Sequence, residues 1–518
     1  MKKIIFCTLA LFLFISQTSY AEKWQAVGAR AMAMGGVGVA AATGSSQQYY
    51  NPALLAKKTK MHKSDVMLNV NMELEATEKL LTAVNKIRDL TDKYKAVENV
   101  INNNSEATAD EMKSIVETLS VLKDLNLNNS GVIVAANTGL ATKIKKFVIS
   151  VRSYVLAGIT PIVDTQNINL GQSGTGIQLS ANTATVSTEN QEAATTIKNI
   201  LDRYNLTDSL NALFGQTYTS NQLANALVNM AADMGSNSKQ ITAMADTIAN
   251  ELPNATTILN NAISGGSYKD NKTQILVDAG AFTEIAIGYG YELHKGIQIG
   301  GNLKFINGQM AQTGIMIMSD NKKMENTIED AFKERKVTNN FGIDLGMLFD
   351  FSEFFKKDIF FNPVVGLVVK NINNPTFDRP NKPVTADARL QWNSNDYSLN
   401  KQYRAGVSVK PLNWLTVATD VDIVKNKTMI NGFDCQDFAL GIETNLINKT
   451  SFSLPLRAGL NKNIANSNSS VEYTAGFGLC GTGFCLEVAG GVSTKTTKID
   501  GNKIPTSVSV AINFGVLF

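Results

Sequence analysis

Apolar and polar residues alternate along most of the chain from Phe282 to Phe518, which is the pattern of β-strands with two different environments. One face of the last segment is bulky and apolar, and comprises Val508, Val510, Ile512, Phe514, Val516 and Phe518. The other face carries Ser509, Ala511, Asn513 and Gly515. A barrel in lipid needs apolar side chains outside and small or polar ones inside. The alternation therefore predicts membrane-spanning strands.

The same pattern predicts about fourteen antiparallel strands, an even number, as single-chain bacterial barrels have. The predicted strands are 64–73, 129–138, 146–160, 274–293, 296–310, 338–351, 358–371, 401–410, 414–425, 435–445, 452–463, 471–480, 483–493 and 506–518. Short connections, such as Gly481-Thr482, alternate with longer ones. Short periplasmic turns and long external loops are typical of outer-membrane barrels. The predicted fold class is an all-β membrane barrel with an N-terminal hatch and helical extracellular loop insertions.

Two of the long connections have helical rather than strand periodicity, at residues 74–128 and 166–272. We expect both insertions to be external and to pack on each other over the barrel mouth. A helical cap that buries its own core is the simpler interpretation. A surface that binds a protein partner is the alternative.

The N-terminus has the features of an export signal. Lys2 and Lys3 precede an apolar core of about a dozen residues, and Ser19-Tyr20-Ala21 supplies small residues at a cleavage site. This core is too short to span a membrane as an anchor. We predict a signal peptide over 1–21, a hatch segment over 22–62 and the barrel over 63–518, in the outer membrane of a Gram-negative bacterium.

The composition excludes several other classes of function. Removal of Lys2 and Lys3 from the 48 Lys and Arg residues leaves 46 against 45 Asp and Glu, so nothing suggests a nucleic-acid partner. The two histidines, His62 and His294, lie near predicted strand ends, and no Gly-x-Ser-x-Gly motif occurs. We therefore expect neither an enzyme nor a bound metal or cofactor.

Three cysteines remain after signal cleavage: Cys435, Cys480 and Cys485. Cys480 and Cys485 flank a short predicted turn on the lumen face, so they are a candidate disulfide in an oxidising compartment. Cys435 is then the free thiol of an odd set.

The predicted lumen face carries many charges. They are Arg152, Glu284, Glu292, Lys304, Asp344, Arg404, Lys410, Asp420, Asp422, Glu443, Glu472 and Glu487. One interpretation is that these charges pair across the lumen and hold the hatch. The other is a charge-selective path for a solute.

The hatch segment is rich in small residues and has turn chemistry at Gly35-Gly36 and Asn51-Pro52. It is too rich in Gly and Ala to form a core alone, but it would fit compactly within a lumen. Its candidate functional residues are Gly28, Arg30, Met34, Gly35, Gly36, Asn51 and Pro52.

Residues 28–56, which read GARAMAMGGVGVAAATGSSQQYYNPALLA, resemble the N-terminal hatch of the long-chain fatty acid transporter (FadL-like) superfamily of outer-membrane barrels. Within that superfamily the chain is most similar to the group labelled conjugal transfer protein TraF. The segments 302–308 (NLKFING) and 371–377 (NINNPTF) also look like signatures of that group. The resemblance implies a fourteen-stranded barrel that passes hydrophobic molecules past its hatch.

We therefore expect passive passage of a small hydrophobic or amphipathic molecule, controlled by movement of the hatch. The alternative is a non-transporting surface protein that displays its helical loops to another cell, a partner protein or a conjugative transfer apparatus. The expected partners are outer-membrane lipid and the barrel-assembly machinery, for which Phe514 and Phe518 of the last strand would be the insertion signal.

Overall fold

Fourteen antiparallel strands close into a single barrel in the computed structural model of the chain. The structure describes residues 22–57, 64–77, 130–167, 182–214, 217–233, 235–243, 245–246, 261, 265–266, 270–316, 324–380, 396–430, 432–449, 451–467, 469–499 and 502–518. Each strand pairs with its neighbour in sequence, and the last pairs with the first from Asp65↔Leu517 to Glu75↔Ser507. The predicted fold class is confirmed.

In chain order the barrel strands are β1 Ser64–Ala76, β2 Val132–Ile144, β3 Phe147–Ile162, β4 Gln274–His294, β5 Ile297–Met316, β6 Lys336–Asp350, β7 Val364–Lys370, β8 Gln402–Leu412, β9 Leu415–Asp422, β10 Asp437–Asn448, β11 Phe452–Asn463, β12 Val471–Gly481, β13 Phe484–Ser493 and β14 Ser507–Leu517. Because successive side chains of a strand point to opposite sides, each strand has one face toward the lumen and one away from it.

The outward face of the barrel is apolar on all sides. On β14 the predicted apolar series is exposed and the residues between them are buried, and Ile285, Leu303 and Phe341 are likewise exposed on other strands. Water would not tolerate so large a continuous apolar surface, whereas hydrocarbon does. The barrel therefore spans a membrane with its strands. Among the described residues, none of the helices has the length and hydropathy needed to cross a membrane.

The two ends of the barrel differ. At one end β2–β3, β4–β5, β8–β9, β10–β11 and β12–β13 are joined by short turns, and β6–β7 by the longer connection 351–363. At the other end the connections are longer and contain three small hairpins. These hairpins pair Thr376–Asp378 with Asp396–Ser398, Asn426–Lys427 with Asp434–Cys435, and Thr496–Ile499 with Asn502–Pro505.

The helices are α1 Ala29–Ala33, α2 Gln47–Tyr50, α3 Gln191–Arg203, α4 Thr207–Phe214, α5 Ser220–Asp233, α6 Met324–Lys333 and α7 Phe351–Phe355. The second insertion contains α3, α4 and α5, which bury a core of their own around Ile197, Leu201 and Leu223. At the base of this insertion the Asp164 carboxylate accepts hydrogen bonds from the backbone N–H groups of Gln166, Asn167 and Lys272. These bonds tie the two ends of the insertion together.

Several predicted element boundaries were wrong; β5, for example, continues to Met316 instead of ending at 310. β1 continues to Ala76, so the first insertion does not start at residue 74; residues 78–128 of that prediction lie outside the described part of the chain. β2 continues to Ile144 instead of ending at 138, because Lys143 is buried in the lumen, where its Nζ donates to Gln47. β7 begins at Val364 instead of 358, because α7 and a tight loop precede it.

Replacing Ile512 by Lys should cost about 2–4 kcal/mol of folding free energy, because this side chain lies near the middle of lipid-facing β14. The measurement is urea unfolding of the barrel in phospholipid vesicles. The matched control is Ile504→Lys, on a hairpin beyond the barrel, for which a change within about 0.5 kcal/mol is expected. Equal losses in the two variants would contradict a lipid-facing position for Ile512.

Candidate functional site

The hatch, described over residues 22–57, lies inside the lumen, from Lys57 at the short-turn end to Lys23 near the long-loop end of β1, and most of its side chains are buried. It consists of α1, α2 and two 3-10 turns, Gly44–Ser46 and Pro52–Ala56, joined by extended segments. Trp24, Tyr50 and Leu54 of the hatch form a buried apolar cluster that continues onto Leu348, Val364 and Val368 of the barrel wall. The hatch and the wall together therefore form the candidate functional site.

Glycines on the lumen face of the wall let the hatch backbone approach closely. A Cβ at Gly300 would lie 2.3 Å from the carbonyl carbon of Pro52, and a Cβ at Gly459 would lie 2.3 Å from that of Met34. Met34 itself is fully buried against Ala418 of β9 and Ala439 of β10. Within the hatch, Gly35 has a φ of 75°, a conformation that favours glycine, and its N–H donates to Thr474 Oγ1.

Buried lumen carboxylates bind the hatch backbone directly. Asp420 Oδ2 accepts hydrogen bonds from the N–H groups of Gly38, at 2.7 Å, and Val39, at 3.0 Å. Arg404 lies beside Asp420 and pairs with Asp422, with 3.2 Å between Nη1 and Oδ1. Because all three charged side chains are almost fully buried, their mutual pairing offsets much of the cost of removing them from water.

A second charged network holds the other side of the hatch. Arg30 donates to both carboxylate oxygens of Glu443, at 2.8 and 3.0 Å. Arg457 binds the same carboxylate at 2.6 Å, and reaches Glu487 at 2.8 Å. A two-pronged arginine–carboxylate contact fixes orientation as well as distance. Arg30 is thus both a hatch residue and a member of the lumen network.

Two further polar contacts secure the ends of the hatch. Lys23 forms ion pairs with Glu73 and Glu75 of β1. Burial lowers the pKa of Lys23, but the two carboxylates outweigh it, so the pKa is raised well above its usual value and the side chain stays charged. Asn51 donates from Nδ2 to the carbonyl oxygens of Val39 and Met347 and accepts from the N–H of Ala53. Pro52 follows it at the start of a 3-10 turn, as Asn-Pro favours.

A cavity of about 90 Å³ lies between the hatch and the wall. Two ion pairs line it, Arg152 with Glu284 and Lys304 with Asp344, each at 2.8 Å. The fifth charged wall residue, Lys370, is buried, and its Nζ lies 3.1 Å from the ring centre of Tyr49 and 3.6 Å from that of Trp24. The cavity thus presents a lysine held mainly by aromatic faces of the hatch.

An apolar cluster covers this cavity on the side of the long loops. Tyr154 of β3 stacks on Phe282 of β4 with 5.1 Å between ring centres, and Phe377 from the β7–β8 loop packs edge-on against Phe282 at 5.2 Å. Met310 and Leu399 complete the contacts. These residues are not among those predicted from the sequence. Tyr154 and Phe282 nevertheless stand out in it as large apolar residues on the otherwise polar lumen face.

The remaining predicted residues lie in separate places. Glu472 accepts hydrogen bonds from the hydroxyls of Ser507 and Ser509, and Glu292 is half-buried near a bulge before the β4–β5 turn. Lys410 is exposed at the end of β8, with its N–H bonded to Phe361 O. Gly28 donates to Asn71 at 3.2 Å, and Gly36 lies close to Asn461 and Arg404.

Cys480, Cys485 and Phe514 lie on the barrel wall, whereas Cys435 lies in a small hairpin at the long-loop end. Cys480 and Cys485 are directly opposite each other on β12 and β13 and form a disulfide, and Cys435 is a free, buried thiol. Phe514 and Phe518 are exposed on the outer face, and the backbone of Phe518 bonds to Ser64 where β14 meets β1.

Comparison with known proteins places the chain in a family. The family model described as "F plasmid transfer operon, TraF, protein" matches residues 48–422. No curated protein matches the chain.

Three solved structures are similar over almost their whole lengths. The Ralstonia pickettii toluene transporter TbuX is 10% identical, with 95% of this chain and 98% of that chain covered and a TM-score of 0.40. The CymD monoaromatic hydrocarbon channel is 10% identical, with 96% and 99% covered and a TM-score of 0.41. The Pseudomonas putida toluene transporter TodX is 9% identical, with 97% and 98% covered and a TM-score of 0.39. Because these TM-scores are low, the similarities support no further conclusion. The fold follows from the strand pairing of the chain itself.

Replacing Asp420 by Ala should loosen the hatch, because the buried N–H groups of Gly38 and Val39 lose their acceptor. An unmade buried hydrogen bond costs about 1–3 kcal/mol, which corresponds to roughly 5- to 150-fold faster hydrogen exchange of the peptide containing both amides. Asp420→Asn keeps a carbonyl acceptor and is the control. Unchanged exchange in Asp420→Ala would show that this carboxylate does not hold the hatch.

Replacing Gly300 by Ala should displace the hatch, since the added methyl group would meet the Pro52 backbone and relief of such overpacking costs about 1–3 kcal/mol. The neighbouring Gly301→Ala is the matched control, because a Cβ there lies in ordinary contact at 3.4 Å or more. The readout is the rate at which a protease cleaves within residues 22–57 of the vesicle-embedded barrel. Faster cleavage is expected in Gly300→Ala only, and equal rates in both variants would contradict the close contact.

Proposed function

The chain belongs to the TraF family whose model matches residues 48–422, and we propose that it is an outer-membrane channel for small hydrophobic or amphipathic molecules, gated by its hatch. The observation that carries this proposal is the order of environments along the lumen. From the long-loop end, the aromatic cluster around Phe282 comes first, and the charged cavity beside Lys370, which the hatch itself lines on one side, comes next. An apolar body can lie against the first layer while a polar end reaches the second.

The character of the hatch contacts supports its role as the gate. Asp420, Glu443 and Thr474 hold it by hydrogen bonds and ion pairs, and water can replace such partners at a net cost of about 0.5–1.5 kcal/mol for a typical bond. Apolar clusters with wall residues such as Leu348, Ala418 and Ala489 also hold the hatch and oppose its complete departure. Gating therefore requires only that part of the hatch shifts while the hydrogen-bonded wall stays intact.

The N-terminal end of the hatch lies between two cavities. Lys23 lines the 90 Å³ cavity and also a second cavity of about 30 Å³, which Glu73, Glu472 and Thr474 line as well. A shift of the hatch away from the wall, from its N-terminal end through α1, would join these two cavities.

The predicted signal peptide and the terminal strand also imply a route of export and membrane insertion. The signal peptide at 1–21 would deliver it across the inner membrane, and the barrel-assembly machinery would insert it through the terminal strand that ends on Phe518. The short-turn end then faces the periplasm and the long loops face outward. A substrate would pass from the aromatic cluster to the periplasm down its own concentration gradient.

The gating role can be tested by locking the hatch to the wall. The Cβ of Ala33 lies 2.7 Å from the position of a Cβ at Gly476, so a shift of about 1 Å would allow a disulfide between cysteines at 33 and 476. With Cys435 replaced by Ser, the oxidised double variant should lose uptake of octanesulfonate into proteoliposomes, and reduction should restore it. A permanently charged alkyl sulfonate is a suitable probe because it crosses lipid slowly by itself.

The wild-type protein under the same oxidant and reductant is the control, because reduction also opens Cys480–Cys485. Full uptake by the oxidised double variant would show that the hatch is not the gate. Absence of uptake by the wild-type protein, in either redox state, would contradict the channel itself.

One observation favours a second function, the display of a binding module. The helices α3, α4 and α5 form a core independent of the barrel lumen, and the Asp164 bonds close its base. Deletion of 168–269 should leave octanesulfonate uptake unchanged if the protein is a channel. A wild-type protein that gives no uptake, together with loss of cell or partner attachment on this deletion, would support the display function instead.

A further inference from the structure

The connection 351–363, here called the aromatic turn, differs from the other connections at the short-turn end. Those consist of two or three residues, such as Lys145-Lys146 and Lys449–Ser451, whereas this one contains α7 followed by a tight loop. Its base is closed by a hydrogen bond from Phe351 N–H to Pro363 O, and its far arm joins β8 through Lys410 N–H and Phe361 O, at 2.7 Å. The aromatic turn is therefore an ordered part of the barrel rim.

Aromatic side chains dominate this turn. Phe349, Phe351 and Phe354 pack around one another with ring centres 4.6 and 4.9 Å apart, and form its inner layer. Phe354 also closes on the β4–β5 turn, where a Cβ at Gly296 would collide with it. Phe355 and Phe360 lie outside this layer and are 53% and 80% exposed. A phenylalanine that is 80% exposed on an ordered turn is favourable where its surroundings are apolar.

Polar contacts within the aromatic turn and with the hatch hold Phe355 and Phe360 in fixed positions. Asp350 caps α7 by accepting from Glu353 N–H at 3.2 Å and pairs with Lys57 at the end of the hatch at 2.8 Å. Ser352 and Asn362 bond across the loop at 2.9 Å. Phe355 and Phe360 are thus presented by a fixed support.

The charge around the exposed rings is mostly positive. Lys356 and Lys357 follow Phe355, and Lys295 and Lys410 are exposed on the two neighbouring rim segments that the turn contacts. Asp358 is the exposed acid among them. Exposed phenylalanines beside several lysines match a surface with apolar chains below and anionic groups above.

We propose that the aromatic turn docks onto the inner phospholipid leaflet, with Phe355 and Phe360 among the acyl-chain ends and Lys356 and Lys357 on anionic headgroups. Continuity with the lipid-facing wall selects this occupant. The loop that carries Phe361 leads directly into β7, whose Val365 is exposed on the outer face. The exposed rings therefore lie at the edge of the lipid-facing wall.

The same continuity appears on the adjoining strands. Leu412, at the end of β8, and Trp414, in the β8–β9 turn, are both about half exposed. They lie beside the part of the aromatic turn where Phe361 O accepts a hydrogen bond from Lys410 N–H. A tryptophan at this level is typical of the aromatic girdle of a barrel. The aromatic turn extends that girdle over the rim from β4 to β8, and so anchors the part of the rim next to the end of the hatch.

Spin labelling tests the proposal in the full-length protein. A nitroxide is attached at Phe360→Cys in a Cys435→Ser background, and its collision rates with oxygen and with a neutral nickel chelate are measured in phosphatidylcholine–phosphatidylglycerol vesicles. Oxygen collisions should exceed nickel collisions at 360. The matched control is Ser451→Cys, on the exposed β10–β11 turn, where nickel collisions should dominate.

Removing the lysine charges provides a second readout that does not depend on the ring. In the labelled protein, Lys356→Gln with Lys357→Gln should reduce the oxygen-to-nickel ratio at 360 in vesicles containing phosphatidylglycerol, and should change it little in pure phosphatidylcholine. A nickel-dominated signal at 360 in both vesicle types would overturn the proposal. That result would mean that the turn faces water, as expected for a surface that binds a periplasmic protein.

Discussion

The closed hydrogen-bond ladder of the wall is the constraint on which the rest of the molecule depends. A strand in hydrocarbon cannot leave its N–H and C=O groups unpaired, so β14 must return to β1, and it does so from Asp65 to Glu75. Closure also fixes which side chains face lipid. Once the bulky apolar set lies outside, the small and polar set necessarily lines the lumen. A segment that fills this lumen must therefore pair the polar groups of the wall as well as its own backbone N–H and C=O groups.

The hatch meets that demand with its backbone as well as with buried side chains such as Trp24 and Tyr50. Its close approach to Gly300 and Gly459 is possible only because the wall lacks Cβ atoms there, and the N–H groups that this approach buries find acceptors on Asp420 and Thr474. Unpaired, each such group would cost more than the bond it forms contributes. The lumen charges are therefore best understood as the polar complement of a buried, irregular segment.

The wall and the hatch are stabilised differently, as the proposed gating requires. Strand pairing and lipid-facing apolar side chains stabilise the wall, whereas polar contacts that water can imitate hold the hatch together with smaller apolar clusters. Lys370, between the rings of Trp24 and Tyr49, connects the hatch to the cavity where a solute would arrive. The aromatic layer of Tyr154, Phe282 and Phe377 separates this polar space from the long-loop end.

The sequence by itself determined the barrel, because a period of two with one apolar face has few stable solutions, and each of the fourteen strands was found from that period. It was less successful at boundaries: β1 and β2 continue past residues 73 and 138, because Glu75 and Lys143 lie in the lumen, where hatch residues are their partners. Only the tertiary structure decided which charges meet: Arg30 with Glu443, and Asp420 with the Gly38 amide, are separated by hundreds of residues. The aromatic cluster also required it, because Phe377 comes from a loop, and no local periodicity specifies where a loop folds into the lumen.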